Sequence, residues 1–126
     1  MGSMDEGSRK PTRMGPTVLR PAAFCYGAGH LVMHGNADFR ASFGQRAIGL
    51  PAREVLIDLP SEAFDLLDAV FKRGKPLARW IHLNDEEWRL TAAPRTDPES
   101  HEVYGVLMHL RARSDLPVLA RSADRG

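Results

Sequence analysis

The chain has 126 residues, a net charge of +1 and Lys/Arg interspersed with Asp/Glu, so it can bury one core and carries no basic track for nucleic acid. Its single cysteine, Cys25, excludes an intramolecular disulfide and a multi-cysteine metal site. No apolar run approaches the ~20 residues that cross a bilayer, and the opening MGSMDEGSRKPTRMGP lacks a signal-peptide core, which points to a soluble chain in the cytoplasm, away from membranes.

Residues 1–17 are rich in Gly, Ser, Pro, Arg and Lys and bury too little surface to offset ordering entropy, so they read as a disordered tail. Ala22 to Tyr26 reads as a strand, Gly27-Ala28-Gly29 as a turn and Leu31-Val32-Met33 as a second strand. Asn36 or Asp38 can cap a short helix that sets Phe39 and Phe43 one turn apart. Gly44 and Gly49 leave room for a single helical turn around Ala52 to Leu56.

Pro60-Ser61-Glu62 opens the best helix, with Ser61 the expected N-cap. Ala63, Phe64, Leu67, Val70 and Phe71 recur at helical spacing, Lys72 and Arg73 favour its negative end, and Gly74 stops it. Leu77 to Leu83 and Trp88 to Ala93 flank Asn84-Asp85-Glu86-Glu87 as a hairpin. A turn at Asp85-Glu86 sets Leu83 opposite Trp88 and Ile81 opposite Leu90, leaving Trp80, His82, Arg89 and Thr91 on the other face. Val103 to Arg111 is the last strand. The domain spans 18–113, and 114–126 is a tail in which Ser114 and Pro117 could start a short docking helix.

Little in this pattern carries chemistry. His30 and His34 sit in a strand with no third ligand at metal-site spacing, so no metal is expected. Asp65 and Asp68 fall on the polar face of the long helix, where solvation accounts for them. Neither a nucleophile elbow nor a phosphate-binding glycine loop is present, and the expectation is a protein without catalytic machinery.

The order of two strands, a cluster of helices and three strands, over roughly residues 22 to 113, resembles the PAS sensory domain. The resemblance implies an α+β fold, with a five-stranded antiparallel sheet and helices packed on one face. It also implies a sensory or regulatory module that binds a small apolar ligand or a partner signalling protein. Flavin photochemistry in that family needs an Asn-Cys-Arg-Phe-Leu run; the matching stretch is Gly49-Leu50-Pro51-Ala52-Arg53-Glu54, with Ala52 in place of the adduct cysteine. Leu107 stands where those members place Gln, and residues 61–73 lack the haem-ligating His of oxygen sensors. No cofactor is therefore expected. A flavin without an adduct, or haem through His82 or His109, stays open.

The expected pocket lining is Phe39, Phe43, Leu67, Phe71, Ile81, Trp88, Leu90, Val103 and Leu107, unless these residues simply fill the core. Both alternations of the last strand are apolar. With its Gly105/Leu107 side facing the helices, as the resemblance implies, Trp80, Tyr104, Val106, Met108 and Leu110 form an outer interface for a homodimer or a partner. The alternatives are a small isomerase-like α+β enzyme, which would need a carboxylate on an apolar face, and a structural dimerisation domain with a filled core.

Overall fold

The computed structural model describes residues 19–115; the tail assigned to 1–17 and the helix expected at Pro117 fall outside them, apart from a 3-10 turn at Arg113–Asp115. Strand β1 (Ala22–Tyr26) pairs antiparallel with β2 (Leu31–Gly35) across a turn in which Gly27 takes φ 74° and His30 takes φ 54°. Met33 is the extra residue of a bulge in β2, since Phe24 pairs with His34 and Cys25 with Val32.

Asn36 then starts helix α1 (Ala37–Phe43) and does more than cap it. Its side-chain oxygen accepts from the Phe39 amide at 2.8 Å and the Ala22 amide at 3.0 Å, while its NH2 donates to the Arg20 carbonyl at 3.0 Å. After a 3-10 turn, residues 49–52 run along the free edge of β2, Val32 donating to Leu50 at 2.9 Å and Ala52 donating to His30 at 2.9 Å. An otherwise open sheet edge is thereby covered. Helix α2 (Ala52–Val55) follows as one turn.

Helix α3 (Ser61–Arg73) buries Ala63, Phe64, Leu66, Leu67 and Val70 against the sheet. Pro60, with extended ψ 158°, occupies the N-cap position without a side-chain cap, so Ser61 is the first helical residue and not the cap expected of it. Gly74 ends the helix in the left-handed region, its N–H donating to the Val70 carbonyl at 2.9 Å.

Strands β3 (Leu77–Leu83), β4 (Glu86–Thr96) and β5 (Val103–Ala112) complete a five-stranded antiparallel sheet ordered β2-β1-β5-β4-β3. The β3–β4 turn is Asn84-Asp85, both with positive φ, which gives a tight two-residue hairpin. Ile81 therefore faces Trp88 and Leu83 faces Glu86, a slide of two residues from the expected register that leaves each side chain on its expected face.

The last strand departs further. Val106, Met108 and Leu110 are buried in the core, and Leu107 and His109 face the opposite way. The outward positions assigned to Val106, Met108 and Leu110 are thus corrected, as is the core position of Leu107. Tyr104 escapes the alternation because it is a bulge: Thr96 pairs with Val103 and Arg95 with Gly105, leaving Tyr104 unpaired between them and turned out against Phe24, ring centroids 5.9 Å apart. The core between sheet and helices joins Val32, Phe39, Leu56, Leu67, Val70, Leu90 and Met108, all essentially inaccessible. Burying each such side chain contributes roughly 1.5–3 kcal/mol.

Candidate functional site

On the helix side, the residues expected to line a pocket are spread between the core, its margin and one cavity. Phe39, Leu67, Ile81 and Leu90 are buried in the core, while Phe71 is half-buried with its ring edge-on to His30 at 6.2 Å. Val103 lies half-buried beside Gly74 at the end of α3. Phe43 and Trp88 line a cavity of about 220 Å³, which also touches Leu19, Ser42, Asp58 and the Asn84 turn. The Trp88 Nε1–H is buried without a hydrogen-bond partner.

A polar cluster that the sequence reading dismissed ties the helices to β2. His30 is 2% exposed, and its Nε2 lies 2.7 Å from Asp68 Oδ1; the other oxygen of Asp68 accepts from Arg53 at 2.6 Å. Asp68 is therefore an anchor between the β1–β2 turn, α2 and α3, and not merely a solvated position. The guanidinium of Arg53 also lies 5.2 Å from the centre of the Phe64 ring. The grouping contains no nucleophile and reads as a latch. No local signal marked the cluster, because His30, Arg53 and Asp68 lie far apart in sequence and α3 carries Glu62 and Asp65 as well. Cys25 is fully buried, and burial pushes its thiol up to about 12. Among the described residues, no three His, Cys, Asp or Glu side chains gather as metal ligands.

The outer face of the sheet carries the larger openings. A cavity of about 350 Å³ is lined by Arg20, Arg89, Thr91, His109, Leu110 and Arg111. A second, of about 260 Å³, adjoins it through Thr91 and His109 and continues over Ala78, Ala93 and Leu107. Of the expected interface residues, Trp80 and Tyr104 do face this side: Arg89 lies 5.7 Å from the centre of the Trp80 ring, and Tyr104 is 41% exposed. Toward β2, Tyr26, Leu31 and Met33 are exposed as well.

At one corner, the Arg20 guanidinium donates to both oxygens of Asp115, at 2.8 and 3.2 Å, and Arg111 approaches the same carboxylate at 3.4 Å. The hydrogen bond from Arg20, reinforced by the charges of Arg20 and Arg111, holds the Asp115 carboxyl below its usual range.

No protein-family model and no curated protein sequence matches the chain. Solved structures do match its backbone. The PAS domain of histidine kinase ThkA superposes with TM-score 0.60 at 12% identity, covering 72% of this chain and 98% of that one. The fold is PAS-like. A sensory box sensor histidine kinase from Vibrio cholerae gives TM-score 0.62 at 10% identity, over 74% of this chain and 81% of that one. VqmA of Vibrio cholerae, in a ligand–DNA complex, gives 0.61 at 14% identity, the PAS-like chain matching over 81% of its own length and 50% of VqmA. A VqmA dimer without target DNA gives 0.55 at 14% identity, over 72% and 45%. Identities this low bear on the fold alone. No helix among the described residues is long and apolar enough to cross a membrane.

Proposed function

We propose that the protein is a non-catalytic sensory or regulatory module in the cytoplasm, and that it works by pairing with a second copy of itself through the apolar end of its outer sheet face. The observation that carries this reading is the exposure of Tyr26, Leu31, Met33 and Tyr104 on strands whose other side packs into the core. Contiguous aromatic and Met surface of this kind is costly to leave wet and marks interfaces. With β2's edge already covered by residues 49–52, the pairing is face to face, not strand to strand. The dimer of VqmA, a neighbour in fold, supports a second copy as the occupant. Light scattering tests it. The wild type should be a dimer and Tyr26→Glu/Tyr104→Glu a folded monomer; a wild type that stays monomeric at high concentration removes self-pairing.

A second reading, a small apolar ligand on the helix side, is favoured by the cavity that joins Phe43 and Trp88. At about 220 Å³ it suits only a fragment-sized molecule. Native mass spectrometry with an absorbance spectrum of fresh protein checks it: an unliganded mass and no visible band leave the interface reading alone.

A further inference from the structure

We infer that the cavity beside Phe43 and Trp88 is a binding site for a small hydrophobic amine, with its apolar body among the walls and its ammonium on Asp58. The inference rests on the reading of this cavity as a ligand site and names the ligand's class. Asp58 is the one charged residue in the cavity's described lining. It stands on the loop between α2 and α3, which is pinned on both sides of it. Leu56 and Leu59 are buried, and the Leu59 amide donates to the Leu56 carbonyl at 3.0 Å. The Asp58 carboxylate makes no hydrogen bond or ion pair among the described residues. Ser42 in α1 and Asn84 in the β3–β4 turn line the same cavity, and their side chains are likewise unpartnered among the described residues. Polar residues from separate elements thus border one opening with unused hydrogen-bonding capacity.

The rest of the described lining is apolar: Leu19, Pro21, Phe43, Leu83, Trp88 and Leu110. Its walls belong to the packed body of the domain. Pro21, Leu83 and Leu110 are buried, the Leu110 amide donates to the Pro21 carbonyl at 2.9 Å, and the Phe43 ring packs on Phe39 with centroids 5.0 Å apart. At about 220 Å³ the space equals about seven waters, which suits a single ring with a short substituent. Charge decides among such molecules. A neutral apolar fragment would strip water from the Asp58 carboxylate and offer nothing in return, which costs free energy. An anion would add repulsion. An ammonium carries N–H donors alone, and Asp58, Ser42 and Asn84 supply the acceptors. Aromatic walls favour the same sign of charge, because ring faces attract cations. A metal ion would find one carboxylate, and among the described residues no three His, Cys, Asp or Glu side chains gather as ligands. A lysine side chain of a partner protein offers the same ammonium as a free amine, and the experiment separates the two.

The test is NMR of the backbone amides and indole N–H groups of the full chain, with probes of one shape: benzylamine, benzyl alcohol and benzoate. Benzylamine should shift the amides of Phe43, Asp58 and Asn84 and the indole N–H of Trp88. It should bind about tenfold or more tightly than benzyl alcohol, and benzoate should shift none of these signals. Asp58→Asn should bring benzylamine down to the alcohol's affinity and leave the alcohol's own affinity unchanged, which also shows that the variant folds. If no probe shifts these signals at about 5 mM, where even weak complexes form, the cavity takes no fragment and the ligand reading falls together with the amine. If benzyl alcohol or benzoate binds as tightly as benzylamine, the cavity stands as a ligand site and the amine assignment alone is overturned. The assignment is equally overturned if Asp58→Asn keeps the preference for the amine. It is overturned too if Nα-acetyl-lysine methylamide takes the site more tightly than benzylamine, which would mark a contact for a protein's lysine.

Discussion

Gly105 lies where β5 passes beneath Phe24, and a Cβ there would meet the ring at 2.5 Å and the Cys25 carbonyl oxygen at 2.6 Å. The ring can move, but the carbonyl belongs to the neighbouring strand and cannot. Gly105→Ala should therefore cost about 1–3 kcal/mol or more, read as a lowered urea midpoint with an unchanged slope. One strand over, Cys25 is closed to solvent. With its thiol raised from 9.0 to about 12 by burial, it presents about a thousandth of the thiolate of an open cysteine at pH 8. Iodoacetamide should label the denatured protein quickly and the native protein only as fast as it unfolds. The thiol is held neutral in the fold, so its contribution to stability is complete below about pH 9 and declines as the pH rises toward about 12.

Helix α3 and strand β5 show what the sequence could and could not disclose. The helix was legible because Ala63, Phe64, Leu67 and Val70 define one stripe and Gly74 ends it, a local pattern that the sheet only confirms. Phe71 was misjudged, since it sits at the margin of that stripe and is half-buried. Leu67→Ala should cost about 2–5 kcal/mol, and Phe71→Ala distinctly less despite the larger side chain, which thermal or urea unfolding of the pair will rank. In β5 both alternations are apolar, and the bulge at Tyr104 puts a residue outward whose parity matches buried Val106. His109 and Arg111, both on the odd alternation, were the local signs of the true face. The hairpin register turned on whether Asn84 and Asp85 both take positive φ, which spacing alone does not reveal. The basic corner was invisible for another reason: Arg20, Arg89 and Arg111 are far apart in sequence and meet only once three strands are in register.

At the scale of the molecule, the carboxylate of Asp115 ties the last described turn to Arg20, just ahead of β1. Its depressed pKa means that it adds stability above the unfolded carboxyl's pKa of about 3.9, and loses it as the pH falls through the lower folded value. Wild type should therefore exceed Asp115→Asn in melting temperature at pH 7, and the two should converge as the pH falls through the carboxyl's lowered folded value. Because Arg20 is largely exposed and screened by solvent, the gap will be modest.

The same contact makes the described chain nearly circular. Its entrance at Arg20 and its exit at Asp115 share one corner, so a bridge of about four residues would span them. New ends could then be opened in the exposed loop at Pro98–His101, outside the sheet ladder. Such a permutant should fold with β1 still between β2 and β5. Equally, the unit could be inserted into a loop of a host protein with little need to spread that loop apart. A pull applied at Arg20 and Asp115 would load their ion pair and the hydrogen bonds of Arg20 to Asn36 and Asp38 before any strand, so the corner would part first and the sheet would yield only afterwards.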